Sequence, residues 1–495
     1  MAQKLLIVHG YSDGSTSFTA LGEFFVAQGL YQANDVFYLD YSSMDDDATF
    51  EDFADKLDAD HRLRLGGERV DVACHSTGSL VVRSWLALHA ERAYRRQQPE
   101  PCPVDRLLCF APANFGSDLA KLGQSFLGKF RSTFFNSHSH SVDFMESGKA
   151  VLQGLEPASP FQWRLSKIDL HGERSYFKPH KDPLQCCYPI IIAAGTGYDG
   201  IQAKVIKERA MPGTDGTVRI AGTSLNTRGC TLDFRETGTA CLWWPSPKFP
   251  DIPFAVFAGF NHGSIIDPGT RGFFDDWGPG RWAVKALTEV KGEGTYEEMA
   301  RQFRTADKQN HARLEPKDQG RYQQFFFKVR DDVDLPVEDF YVDFHVVGPD
   351  GRPHEELTLR FDEDFEANFY RHSASGAHRV MMLDCRKLGE FAASLRQANA
   401  KLVLEITGVS HLPDVRYQVS AYDAHDPARP PAASEPVLLC ANTTTLVDVV
   451  LNRRQTDNLL QVKDGRLNAI AIAPAAVAPA AERTGRAALV VVEAP

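Results

Sequence analysis

Short apolar runs alternate with longer amphipathic stretches through the first half of this chain. Leu5-Leu6-Ile7-Val8 has the length of a buried strand, and Phe18 to Gln28 carries apolar positions at helical spacing. Asp35 to Tyr41 predicts a strand, and Thr49-Phe50-Glu51-Asp52 opens a helix on a capping residue. The β-branched run Val70 to Cys74 predicts a second buried strand, followed by a helix from Ser79. Strands are expected at Arg106 to Ala111 and at Pro189 to Ala194, and closing helices at Trp282 to Val290 and Thr295 to Ala306. Alternation of this length predicts an α/β architecture, a mostly parallel sheet covered by helices on both faces.

The alternation breaks between about Asp118 and Lys181. An apolar stripe runs through Leu119, Leu122, Phe126 and Phe130 and continues at Phe134-Phe135, Val142, Phe144 and Met145. Beyond about residue 320 the texture changes to short strands separated by turns such as Gly348-Pro349-Asp350-Gly351. These strands are Phe325 to Val329, Phe340 to Val347, Leu357 to Phe361, Arg379 to Leu383, Leu402 to Ile406, Tyr417 to Ala421 and Thr445 to Val450. Their spacing predicts an antiparallel β-sandwich over 321–468. Residues 469–495 are Ala/Pro-rich and linker-like, with Ala488 to Val492 as a terminal strand.

The chemistry concentrates in Cys74-His75-Ser76-Thr77-Gly78. A strand feeding a tight turn that opens a helix lifts the central serine clear of the sheet, beside the positive end of the helix. Such a turn crowds its neighbours, so small residues are needed two before and two after the serine. Gly78 meets the second need, and Cys74 stands where glycine is usual. The bland reading is a helix-capping serine behind a buried strand. A nucleophilic serine needs a base, an orienting acid and oxyanion donors. Downstream lie Asp199 and Asp215, followed by Asn261-His262-Gly263-Ser264. The order serine, acid, histidine matches one of the known arrangements of such a site. Upstream, the first strand ends at His9-Gly10-Tyr11, where the Tyr11 N–H would be one oxyanion donor and the Thr77 N–H the other.

In these motifs the chain resembles α/β-hydrolases of the lipase/esterase kind, close to bacterial lipases and GPI-deacylase-like lipases. The matching residues are His9-Gly10, Cys74 to Gly78, Ala111-Pro112-Ala113-Asn114-Phe115-Gly116-Ser117, Asp215-Gly216-Thr217-Val218 and Asn261 to Ser264, within about the first 290 residues. The resemblance implies an α/β-hydrolase domain over 1–320 whose insertion at 118–181 is a helical lid. It implies Ser76 as nucleophile and His262 as base. Asp215 is favoured as the acid by its Gly-Thr-Val context, with Asp199 as the alternative. No metal or organic cofactor is called for. Asp45-Asp46-Asp47 and the His138/His140 pair read as solvated loops rather than metal sites.

Composition narrows the partners. A net charge of −11 argues against nucleic acid and against an electrostatic grip on anionic lipid, while leaving hydrophobic docking to a membrane open. Met1-Ala2-Gln3-Lys4 runs into the first strand without a signal-peptide pattern. No apolar stretch approaches the roughly 18–20 residues of a transmembrane helix. Nine scattered cysteines without metal-ligand spacing suggest reduced thiols in a cytoplasmic protein, with signal-independent export left open. Three functions compete: a lipase or phospholipase acting on lipid esters, a hydrolase of a soluble ester, thioester or amide, and a non-catalytic binding protein on the same fold. The sandwich would serve as a membrane-docking or protein-partner module, or as a stabilising appendage.

Overall fold

The computed structural model describes residues 3–9, 15–39, 47–98, 100–122, 148–198, 213–235, 240–314, 321–365, 367–410, 414–426 and 438–456. In the first half the elements run β1 (Leu5–Val8), α1 (Ser15–Ala27), β2 (Val36–Leu39), α2 (Phe50–Arg64), β3 (Val70–His75), α3 (Gly78–Arg95) and β4 (Val104–Phe110). They continue through α4 (Lys149–Leu155), α5 (Pro160–Asp169), β5 (Tyr188–Ala194), α6 (Ile220–Thr223), β6 (Arg228–Asp233) and β7 (Ala240–Trp243). The half closes with β8 (Phe254–Phe257), α7 (Pro279–Glu289) and α8 (Glu293–His311).

The first sheet has the order β2-β1-β3-β4-β5-β8, and every pairing is parallel. Val8 pairs with Cys74 and Cys74 with Cys109, so β1, β3 and β4 end at one level. The loops after them therefore meet along one edge, the place where open parallel sheets carry their sites. Both faces are buried, which is why the strands read as unbroken apolar runs rather than alternating ones. Thr49 caps α2 as its sequence implied: its hydroxyl accepts from the Asp52 N–H at 3.2 Å, and the Asp52 carboxylate accepts from the Thr49 N–H at 2.8 Å. The edge strand β8 is sealed by α8. Its Val256 and Ala258 N–H groups donate to the Asp307 and Asn310 side chains at 3.0 and 3.2 Å, which removes exposed edge donors.

The second half adds β9 (Tyr322–Asp331), β10 (Phe340–Val347), α9 (Glu355–Asp364), β11 (Ala367–His372), β12 (Ser375–Asp384) and α10 (Leu388–Ala398). It ends with β13 (Lys401–Gly408), β14 (Val415–Tyr417), β15 (Ser420–His425), β16 (Thr444–Leu451) and β17 (Arg453–Gln455). An antiparallel sheet β10-β13-β15 faces a larger sheet ordered β11-β12-β9-β16-β6-β7. The larger sheet is mixed, because β16 runs parallel to both β9 and β6. Two of its strands, β6 and β7, come from within the first 320 residues.

Phe325-Phe326-Phe327 on β9 shows how the halves join. Phe325 and Phe327 belong to the core between the two β-sheets. Phe326 points the other way, into the core of the parallel sheet, edge-on to Trp163 with ring centroids 5.1 Å apart. Period-two geometry puts neighbours on opposite faces, so three consecutive phenylalanines require a layer buried on both sides.

Two local expectations differ from what is observed. Leu357 to Phe361, expected as a strand, lies in α9: Leu357 and Phe361 are four apart and turn one helical face inward, while Leu359 is exposed. The Tyr417 to Ala421 strand is interrupted, with β14 ending at Tyr417 and β15 beginning at Ser420. All nine cysteines are free thiols. Of the 118–181 insertion, α4 and α5 are described. Their Val151, Leu155, Trp163 and Leu165 are buried in the main core, and 123–147 lie outside the described residues. So do Asp45, Asp46, His138, His140 and 469–495.

Candidate active site

Ser76 stands at the end of β3 with φ +53°, in the left-handed region that an L-residue enters at a cost. Neighbouring backbone holds it there. The Ser76 N–H donates to Phe110 O at 3.2 Å, and its carbonyl accepts from Ala113 N at 3.0 Å and from the Ser79 hydroxyl at 2.8 Å. Gly78 is dictated by close approach, since a Cβ there would lie 2.7 Å from the carbonyl oxygens of both Val8 and His9. At the other small position, the Cys74 thiol sits 3.4 Å from the Cys109 sulfur on the adjoining strand.

The Ser76 hydroxyl lies 3.0 Å from His262 Nε2, and His262 Nδ1 lies 2.9 Å from Asp215 Oδ2. All three residues are buried. Asp215 is held by its own loop. Its Oδ1 accepts from the Thr217 and Val218 N–H groups at 2.9 and 2.8 Å, and its carbonyl accepts from the His262 N–H at 3.1 Å. The aspartate turn thereby explains the Asp-Gly-Thr-Val spacing: the two N–H groups that grip one oxygen leave the other free for the imidazole. On the histidine loop, Asn261 Oδ1 accepts from the Gly263 and Ser264 N–H groups at 3.1 and 2.9 Å, which fixes the backbone on either side of the ring.

The sequence-derived residues are thus partly assembled. Ser76, His262 and Asp215 come together. Thr77 follows Ser76 at the head of α3, and its N–H makes no hydrogen bond among the described residues. Tyr11 and Asp199 lie outside the described residues.

Several supporting contacts were not found from the sequence, although His75 is expected there to pack around the serine turn with its ring pointing away. His75 packs against His262 with ring centroids 4.6 Å apart, and its Nε2 lies 2.9 Å from the His262 carbonyl. A carbonyl only accepts, so this nitrogen carries the proton. Burial, reinforced by His262, pushes the His75 imidazole well below its ordinary pKa and keeps it neutral. The Ser117 hydroxyl donates to Thr217 O at 2.7 Å, tying the Gly116-Ser117 turn to the aspartate loop. Asp118 and Arg219 form a buried ion pair, with Arg219 Nε 2.9 Å from Asp118 Oδ2. Further along α3, Arg83 is fully buried and bonded to Asp169 through Nε at 2.7 Å and Nη2 at 3.0 Å. Each contact joins segments about 80–190 residues apart, a separation that no local pattern records. No group of side chains suited to a metal ion occurs among the described residues.

No family model and no curated protein matches this chain. Solved structures do. Phospholipase PlaB from Legionella pneumophila superposes with a TM-score of 0.76 at 21% identity, over 95% of this chain and 97% of that one. A second PlaB structure, in complex with thio-NAD, gives the same TM-score at 20% identity over 94% and 97%. What this chain shares with PlaB along nearly its whole length is the fold, an α/β-hydrolase core joined to a further β domain.

Proposed function

We propose that this protein is a carboxylic ester hydrolase acting on lipids, with Ser76 as nucleophile, His262 as general base and acid, and Asp215 as the orienting carboxylate. The observation that carries this reading is the pair of contacts at 3.0 and 2.9 Å on a strained serine turn. A carboxylate accepts, so the Asp215 contact keeps the proton on His262 Nδ1 and leaves the Nε2 lone pair facing the serine hydroxyl. His262 Nε2 takes the Ser76 hydroxyl proton as Oγ attacks the ester carbonyl. The tetrahedral intermediate places its negative oxygen toward the N–H groups of Thr77 and Tyr11. Collapse releases the alcohol, which receives the proton from His262, and leaves an acyl-serine. Water, activated by the same imidazole, hydrolyses the acyl-serine and restores the site. Asp215 stabilises the imidazolium at both stages without taking its proton.

The lipid substrate class is supported by the fold shared with a phospholipase over both chains. In this reading 1–320 is the catalytic domain, 118–181 covers the serine and receives the acyl chain, and 321–468 is a β-sandwich domain, sharing its larger sheet with β6 and β7, followed by a linker at 469–495. The test is Ser76→Ala in the full chain, assayed on a monomeric short-chain nitrophenyl ester and on emulsified long-chain esters. Turnover is expected to fall by about 10³-fold or more on both. Turnover within tenfold of the parent refutes the assignment. A parent enzyme that prefers the monomeric ester replaces the lipid reading with a soluble-ester one.

A further inference from the structure

The first sheet's edge strand and the β6–β7 hairpin leave a cavity of about 740 Å³ between them, and none of Ser76, Asp215 or His262 lines it. Its walls come from the start of β6, the end of β7, the 248–254 segment before β8, the last turns of α8 and the approach to β16. Its lining is unevenly charged. Arg228, Lys248, Arg304, Lys308 and Arg321 face two acids, Asp251 and Asp307. Both acids are engaged, Asp251 with Arg304 and Asp307 with Arg321 at 3.9 Å.

Lys248 is the telling residue. It is only 6% exposed, yet its ammonium has no hydrogen bond or ion pair among the described residues. A lysine buried along most of its length, with no protein partner for its ammonium among the described residues, is rarely retained without a use for it. Burial, with the Arg228 guanidinium behind it, pushes Lys248 down to about 8, so it still carries its charge at neutral pH.

We propose that this cavity is a binding site for a phosphate-bearing small molecule, whose phosphate is held by Lys248 and Arg228. Arg304 and Arg321 answer the two acids, so the lining keeps an excess of positive charge that suits an anion. The volume exceeds what an inorganic ion fills, and the indoles of Trp243 and Trp244 in the wall provide apolar surface for an organic body. Because the walls come from both the parallel-sheet half and the β-domain half, occupancy clamps one against the other.

The experiment measures calorimetric binding and thermal stabilisation of the full chain by glycerol phosphate and inorganic phosphate, with chloride at matched ionic strength as control. Lys248→Met is expected to bind glycerol phosphate about tenfold or more weakly. Its unliganded melting temperature is expected to be equal or higher, because an unpaired buried charge has been removed. Lys308→Gln, at an exposed position that leaves folding intact, is expected to weaken binding severalfold. A parallel arm measures retention on phosphatidylglycerol vesicles. Loss of retention in Lys248→Met, with no soluble binding in the parent, identifies a lipid headgroup as the source of the phosphate. Soluble binding with unchanged retention identifies a free metabolite. Equal affinity for glycerol phosphate in the parent and in Lys248→Met, an equal effect of chloride, or binding of neither soluble phosphate nor vesicles overturns the proposal.

Discussion

Replacing Asp215 by Asn isolates the electronic part of the site from its architecture. The Asp215 carboxylate takes three hydrogen bonds, from the Thr217 and Val218 N–H groups at 2.9 and 2.8 Å and from His262 Nδ1 at 2.9 Å. In the asparagine variant the single amide oxygen satisfies the two backbone donors, as Oδ1 does now. The NH₂ group then faces His262 Nδ1. A donor there forces Nδ1 to be the unprotonated nitrogen, and the proton moves to Nε2, toward Ser76. Under the proposed mechanism the imidazole becomes a donor to the hydroxyl it would deprotonate, and no carboxylate stabilises the imidazolium. An analogous change in a serine protease lowers kcat by about 10⁴, which corresponds to about 5.4 kcal/mol in the barrier. Stability should fall less than in Asp215→Ala, since the side-chain shape is kept and the Thr217 and Val218 N–H groups keep their acceptor. The assay is kcat on a short nitrophenyl ester alongside the melting temperature, with Asp215→Ala for comparison. Asp215→Ala strands the Thr217 and Val218 N–H groups and should melt lower, each stranded donor costing about 1–3 kcal/mol. An Asp215→Asn enzyme within tenfold of the parent, or an Asp199→Asn enzyme that is the more damaged of the two, refutes the reasoning and moves the acid elsewhere.

Two further outcomes follow from burial and from the seam between the halves. Burial pushes His171 and His378 down to about 4 from an ordinary 6.5, so between those values the unfolded chain binds more protons than the folded one. Stability is therefore complete above pH 6.5 and is lost as pH falls toward 4, at about 1.4 kcal/mol per pH unit for each histidine. Denaturant melts across that window should show a shallower slope in His171→Gln, and an unchanged slope refutes its contribution. Glu156, buried between α4 and α5, accepts from Ser373 N at 2.8 Å, from the Ser373 hydroxyl at 2.6 Å and from the Tyr370 hydroxyl, all on the β11–β12 hairpin. Glu156→Gln should destabilise the protein by about 1–3 kcal/mol, read in urea melts, and an unaltered midpoint would show that the latch is not an energetic link.

Much of this protein is determined locally and is legible in its sequence. The parallel sheet announces itself because strands buried on both faces must be apolar throughout, as at Leu5 to Val8 and Pro189 to Ala194. The serine turn is legible because a left-handed residue at Ser76 and a backbone approach at Gly78 restrict which residues fit. The aspartate turn is legible for a similar reason, since Oδ1 of Asp215 must meet N–H groups two and three residues on.

What the tertiary structure alone decided depends on partners far away in the chain. Leu357 to Phe361 satisfies both a strand alternation and a four-residue helical repeat, and only the single face offered by the neighbouring aromatic core selects the helix. β6 pairs with β16, more than two hundred residues later, so the reach of a hairpin from the first half into the second sheet has no local signature. The grip of His75 on the His262 backbone, the burial of Arg83 on Asp169 and the isolation of Lys248 in a basic cavity arise in the same way. Local sequence dictates which backbone shapes a segment tolerates. Which side chains meet, and which charge is left without a counter-ion, is set by the packing of segments whose separation in sequence carries no information about their distance in space.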